Sequence, residues 1–461
     1  MKRSFLRRHL ALPLSLVAAS LIVQLPATGA ALSPSARPNV IFILADDLGY
    51  GDLGCFGQKL IQTPNLDRLA KEGMRFTQAY AGATVCAPSR CCLMTGKHGG
   101  HAAVRGNREI KPEGQEPMPA DTFTVAHLMK QAGYTTGVIG KWGLGHPDSP
   151  STPDKMGFDY FFGYNCQREA HEYYPEHLWR NNEKVMLNGK AYSHDLMADD
   201  ALEFVSRSKD QPFFLYLAFT IPHAKLQVPD LGAYEKESWP ENLKKLAAMI
   251  TRLDRDIGRL MARLQELHLD ERTLVFFASD NGAAYQDELF HHSGPLRGMK
   301  RDMYEGGLRS PSLARWPGKI KAGIVSEQVW TFWDFLPTMA EFIGQPTPKG
   351  LDGISILPAL LEGKTMEHPP LYFEFHERGF TQAARLGDWK AVRLGTKKPI
   401  ELYDLKSDLA EAHDVAAQHP DVVKRLDGFL KTARADSEKW PILEDVGEKA
   451  GKKKAANVGD P

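Results

Sequence analysis

The sequence predicts an α/β protein: a large, mostly parallel mixed sheet between helices, followed by a small C-terminal antiparallel sheet with one helix. Three observations carry this. Continuous apolar runs at 39–44, 134–140, 211–219 and 273–278 read as strands buried on both faces. Helical segments alternate with them. Thr63, Pro64 and Gly73 supply a cap, an early proline and a stop, and 121–133 repeats that pattern. A longer helix follows, with Leu243, Leu246, Ile250, Leu253, Ile257, Leu260, Leu264 and Leu267 at helical spacing, a stripe that reads as core packing and nothing more. Strands alternating with helices give a parallel sheet covered on both sides. From about residue 371 the texture shifts to short runs at 371–375, 389–393 and 400–403, then a helix over 420–432. That is the smaller antiparallel unit.

The chain of 461 residues is 43% hydrophobic and 25% charged, enough for a globular protein with a large core. Its expected division is a signal peptide at 1–30, a large main domain at 37–365, an α+β subdomain at 366–440 and a polar tail at 441–461. The first segment has a basic start (Lys2, Arg3, Arg7, Arg8), an apolar stretch at 10–25 and small residues at 27–30 suited to cleavage. Pro13 and Pro26 argue against a membrane anchor. The mature protein is therefore expected to be exported, periplasmic or secreted, with no stable membrane span. The whole chain carries 57 basic and 57 acidic residues. The first segment takes four of the basic ones, so the remainder is slightly acidic. Only Lys452, Lys453 and Lys454 form a basic run, and no nucleic-acid partner is expected. Five cysteines leave at least one unpaired, and pairing among Cys55, Cys91, Cys92 and Cys166 stays open.

The densest chemistry lies at 84–96, where Cys86, Pro88, Ser89 and Arg90 fall within five residues. Pro88 fixes the backbone, and the apolar run from Cys91 to Met94, closed by Gly96, reads as a buried helix aiming its N-terminus at whatever Cys86 binds. An anion site is implied. Polar residues also gather just past the strand ends, where such sheets bind ligands: Asp46 and Asp47, Lys141, Asp280 and Asn281. Singly, a cysteine is more often a small buried hydrophobe, an Asp-Asp pair a solvated turn and a lysine a surface charge. Together they call for a shared explanation.

Cys86-x-Pro88-Ser89-Arg90 followed by Leu93-x-Thr95-Gly96 resembles the signature of the type I, formylglycine-dependent sulfatases of the alkaline-phosphatase superfamily, which include the arylsulfatases. The resemblance runs from about residue 39 to 432 and implies an alkaline-phosphatase-like fold. It implies that Cys86 is oxidised to formylglycine by a formylglycine-generating or maturase enzyme and that the hydrated aldehyde attacks sulfur. Cys86, Arg90, Lys141, His223 and Lys300 are then the catalytic set, with His223 protonating the leaving alcohol near its ordinary titration range. Asp46, Asp47, Asp280, Asn281 and the modified Cys86 would hold one Ca²⁺, whose preference for hard oxygen ligands fits them. One position departs from the pattern. Many sulfatases have histidine where this chain has Gly143, and His98, His101 and His146 are the sequence-near candidates to replace it.

Substrate is less legible. Residues 164–181 are polar, aromatic and histidine-rich, fit either for a carbohydrate-binding lip or for an ordinary surface loop. The candidates to touch substrate are His101, Arg105, Asn107, Arg168, His171, Trp179 and His292, with 373–377 as a further contributor. The expected reaction is hydrolysis of a sulfate monoester on a terminal sugar of a sulfated glycan. Other sulfate monoesters, a phosphonate monoester or phosphodiester substrate, and a glycan-binding homologue with impaired catalysis remain open.

Overall fold

The computed structural model describes Met1 and residues 37–443. The expected signal peptide and most of the polar tail lie outside the described residues. Ten strands form the main sheet. Its centre is five parallel strands, in spatial order Thr273–Ser279, Asn39–Ala45, Phe213–Ala218, Thr135–Lys141 and Tyr160–Tyr164. Alternation along Asn39–Ala45 shows why it must be central. Val40, Phe42 and Leu44 enter one apolar cluster and Ile41, Ile43 and Ala45 the other, so neither face can meet water.

Helices Pro64–Glu72, Ser193–Arg207 and Glu241–Glu266 cover one face, while Cys86–Thr95, Val125–Gln131 and Phe335–Phe342 cover the other. The leucine stripe packs as the spacing predicts: Leu246, Ile250, Leu253, Ile257, Leu260 and Leu264 are buried, and Leu243 and Leu267 partly so. Asp254 on that helix caps its neighbour, accepting hydrogen bonds from the backbone N–H groups of Asn65 and Leu66 at 3.1 and 2.7 Å.

Differences from the sequence reading lie mainly at the edges. Ser312–Arg315 is antiparallel to Thr273–Ser279 and leads to Met74–Phe76 and Ile324–Ser326, while His177–Arg180 and Glu183–Met186 extend the other side as a hairpin. Part of the polar stretch at 164–181, expected as a lip or loop, is thus sheet. The helix expected over 121–133 occupies Val125–Gln131, because Thr124 caps it by accepting from the N–H of His127 at 3.3 Å. All five cysteines are free thiols. Among the described residues, no helix is long and apolar enough to cross a membrane.

The second sheet runs Leu371–Phe375, Thr381–Leu386, Trp389–Arg393, Glu401–Asp404, every pair antiparallel, with helix Pro420–Thr432 against it. It is clamped to the main body by buried charge. Lys390 reaches Glu305 at 2.7 Å, and Glu305 also accepts from the Tyr80 hydroxyl at 2.6 Å. Glu305 stands five residues after Lys300, so the small sheet holds the segment that carries this lysine.

Candidate active site

The carboxyl ends of the central strands converge. Ala45 leads into Asp46 and Asp47, Ser279 into Asp280 and Asn281, Ala218 into the loop bearing His223, and Lys141 ends its own strand. All of these side chains are buried. Helix Cys86–Thr95 begins at Cys86 itself, one turn earlier than the apolar run alone suggests, and every residue in it is buried. Its N-cap, Val85, offers no side-chain oxygen. Asn107 substitutes from a distant loop, its Oδ1 accepting the Ala87 N–H at 2.9 Å.

Charge is matched group by group. Arg90 grips Asp280 through Nη2 at 2.7 Å and Nε at 3.1 Å and donates Nη1 to the Lys141 carbonyl at 2.9 Å. Lys141 Nζ lies 2.6 Å from Asp46, and Lys300 Nζ lies 2.9 Å from Asp47. Burial alone would raise the Asp46 carboxyl, but Lys141 and Arg90 hold it well below the usual carboxylate range. Burial and the neighbouring Asp46 push Asp280 up to about 7 in spite of Arg90. The Cys86 thiol, 3.5 Å from Asp46, is pushed up by burial against the pull of Lys141 and Lys300. A thiol so placed stays protonated and is a poor nucleophile.

His223 departs from the expectation of titration near neutrality. Its Nδ1 donates to the Ala224 carbonyl at 2.6 Å, while Nε2 lies 3.0 Å from Lys300 Nζ and 3.2 Å from Asp47 Oδ2; with the imidazole neutral, Nε2 accepts from Lys300. Burial, then Lys300, hold it well below its usual range and therefore neutral.

A cation suits this constellation. Three carboxylates meet there, and the Oδ1 of Asn281 is buried with no hydrogen-bond partner while its Nδ2 donates to Asp47 at 2.7 Å. An amide oxygen and crowded carboxylates are the hard donors a divalent ion takes. Asp46, Asp47 and Cys86 of this set, together with His223, bring one donor atom each within 4.8 Å of one another.

The remaining candidates separate. Asn107 and His171 reach the centre: Asn107 through Ala87, and His171 by stacking on the His223 ring at 3.7 Å between centroids. Arg168 is exposed and paired with Glu109 at 2.8 Å; Trp179 is half-buried, its indole N–H donating to Glu113. His101 is held by Asp352 at 2.9 Å. Arg105 spends its guanidinium on Ala102, Glu374 and Ala435, tying this loop to the C-terminal sheet. His292 is buried with both ring nitrogens taken by Asp52 and Asp287.

Gly143 has φ +68, and a Cβ there would stand 3.2 Å from the Gln167 amide nitrogen. Gln167 donates to Asn107 Oδ1 at 3.2 Å and so borders the nucleophile's helix cap. None of the described contacts of His98, His101 or His146 is with Cys86 or its charged neighbours. Sequence reasoning passed over Gln167, Tyr173 and Glu305. Only Glu305 left a signal, as an acid in the Gly-rich stretch after Lys300.

Comparison with known proteins agrees with this geometry. The Sulfatase family model matches residues 38–345, and the N-sulphoglucosamine sulphohydrolase, C-terminal model matches 299–436. The chain is 35% identical over 382 residues to human N-acetylgalactosamine-6-sulfatase, covering 77% of this chain and 71% of that protein. It is 33% identical over 466 residues to human arylsulfatase A, covering 87% and 88%. Among solved structures it resembles Ps i-CgsB with a TM-score of 0.80 and 29% identity, over 92% of this chain and 98% of that one. Ps i-CgsB has also been solved in complex with k-i-k-neocarrahexaose. The alkaline-phosphatase-like sheet, the converging site and these matches together establish that the chain belongs to the sulfatase family and is a sulfuric ester hydrolase.

Proposed function

We propose that the chain is an exported, Ca²⁺-dependent sulfatase that removes sulfate from a sugar of a sulfated glycan, using a formylglycine made from Cys86 by a maturation enzyme. The observation that carries this reading is the state of Cys86: a fully buried thiol kept protonated at a helix N-terminus, ringed by Arg90, Lys141 and Lys300. As a thiol it has little reactivity, whereas the cationic ring around it suits an oxyanion. Once oxidised and hydrated, residue 86 would offer a hydroxyl in place of sulfur at the same point.

The other residues then have definite work. Lys141 and Lys300 hold the sulfate oxygens, and burial removes the water that would screen them. Arg90, locked on Asp280 and the Lys141 carbonyl, fixes both the helix and the strand end. Asp46, Asp47, Asp280 and Asn281 would hold the divalent ion. When bound, it supplies Lewis acidity for the sulfate oxygens and for the hydroxyl of residue 86. The leaving oxygen is protonated by the pair of Lys300 and His223, in which the resting proton sits on Lys300 Nζ because burial keeps His223 neutral.

Sulfated sugars are supported by the relatives named N-acetylgalactosamine-6-sulfatase and by the complex of Ps i-CgsB with k-i-k-neocarrahexaose. Export is supported by the basic, then apolar, then small-residue start of the chain. The test is sulfate release from galactose and N-acetylgalactosamine monosulfates, side by side with a phosphonate monoester and a phosphodiester. Higher kcat/KM on the sulfated sugars is expected. Preference for the phosphorus esters, or glycan binding with no hydrolysis, would overturn the reading.

A further inference from the structure

Past the strand Tyr160–Tyr164 the chain makes a short turn at Glu169–His171 that is tied to the loop bearing His223. The Lys225 N–H donates to the His171 carbonyl at 3.0 Å, and the Tyr173 hydroxyl lies 2.7 Å from the carbonyl oxygens of both Thr220 and His223. The two imidazoles lie face to face, 3.7 Å apart and tilted by only 14°. They differ in one respect. His223 has a partner at each nitrogen, whereas the Nε2 of His171 is buried and has none. Such an atom is costly to leave unmatched, and its presence beside a reacting centre calls for a ligand.

The chemistry of that ligand follows from the surroundings. The ring stacks on His223 in a site that already holds the buried cations Lys141 and Lys300, so its unpartnered nitrogen has no need to bring a further charge. A neutral imidazole nitrogen exchanges one hydrogen bond and offers no charge, so it suits a hydroxyl better than a sulfate oxygen. In the reaction proposed above the ester oxygen leaves beside His223, so the ring stacked on His223 would be the neighbour of the sugar atoms next to that oxygen. Resting on the sulfated-sugar reading above, we propose that His171 is a specificity residue whose Nε2 hydrogen-bonds the sugar hydroxyl adjacent to the sulfate ester.

The test is steady-state kcat/KM for wild type and His171→Phe, which keeps an aromatic ring on His223 but removes Nε2. The probes are the best-cleaved galactose or N-acetylgalactosamine monosulfate, its analogue lacking the adjacent hydroxyl, and 4-nitrophenyl sulfate. The variant is expected to lose about ten- to a hundredfold more on the sugar sulfate than on the aryl sulfate. Wild type should lose a similar factor on the deoxy analogue, and the variant should add nothing further there. Equal losses on all three probes would reveal a mere support for His223 and overturn the assignment. So would wild type that cleaves the deoxy analogue as well as its parent, a result that needs no variant to fold. Wild type that cleaves the aryl sulfate but no sugar sulfate would overturn the sugar reading itself, and the assignment with it.

Discussion

Around Cys86 three cations, Arg90, Lys141 and Lys300, face three carboxylates, Asp46, Asp47 and Asp280, all of them buried. On the rim at 165–181 burial is uneven: Asn165, Gln167 and Tyr173 are buried, whereas the Arg168 side chain is 56% exposed and its partner Glu109 is 31% exposed. The three cations and three carboxylates face one another without a ligand, so a divalent ion bound there would tip the centre positive and favour an anion. The rim has no such balance to keep. Its exposed pairs are worth little individually, which leaves it free to vary with the substrate. On the proposed reading, chemistry and selectivity fall in regions with different physical constraints.

Changes at the centre should therefore abolish turnover on every sulfate ester, and changes at the rim should alter the choice among esters. The largest effect is expected from metal removal: exhaustive chelation should lower kcat by more than about a hundredfold on aryl and sugar sulfates alike, with recovery on adding Ca²⁺. Unchanged turnover in the chelated protein would remove the metal from the account. Next, Lys300→Ala should reduce kcat/KM by about 10²- to 10³-fold on all sulfates, since a buried cation on the sulfate oxygens is lost. A loss confined to sugar substrates would move Lys300 to the rim.

Trp179→Ala should act the other way, raising KM for the sugar sulfate by about three- to tenfold with little change on 4-nitrophenyl sulfate. Equal behaviour of the two substrates would blur the boundary between the regions. The smallest effect is expected at His292. Burial would lower its pKa, but Asp52 and Asp287 raise it. Its stabilising contribution is fully present below the unfolded value of about 6.5 and fades as pH rises through the higher folded one. His292→Gln should accordingly cost about 2 kcal/mol near pH 6 and less near pH 9, read from denaturant melts, with selectivity among sugars unchanged.

The same contrast governs what the amino-acid sequence reveals. Asp46, Asp47, Lys141, Asp280 and Asn281 are legible because each ends or follows a strand with a clear apolar run, and because sheet geometry sends strand ends to one place. The charge pairing among them is long-range and carries no local signal. Helix Cys86–Thr95 begins earlier than its apolar run because Asn107 supplies the cap from twenty residues away. Strand Thr381–Leu386, with two alanines and an arginine, has no strand-like composition and is held by pairing on both sides. Gln167 and Tyr173 are ordinary residues in a polar stretch, and only the fold shows that one borders the helix cap and the other braces His223.

The central claim is that Cys86 serves as something other than a thiol. Mass spectrometry of the tryptic peptide spanning residues 76–90, which separates Cys86 from Cys91 and Cys92, tests it most directly on active protein produced with a formylglycine-generating system. The account predicts a peptide in which sulfur and two hydrogens have been replaced by one oxygen, with sulfatase activity rising in proportion to its abundance. An unmodified thiol in protein that turns over sulfate esters efficiently would contradict it.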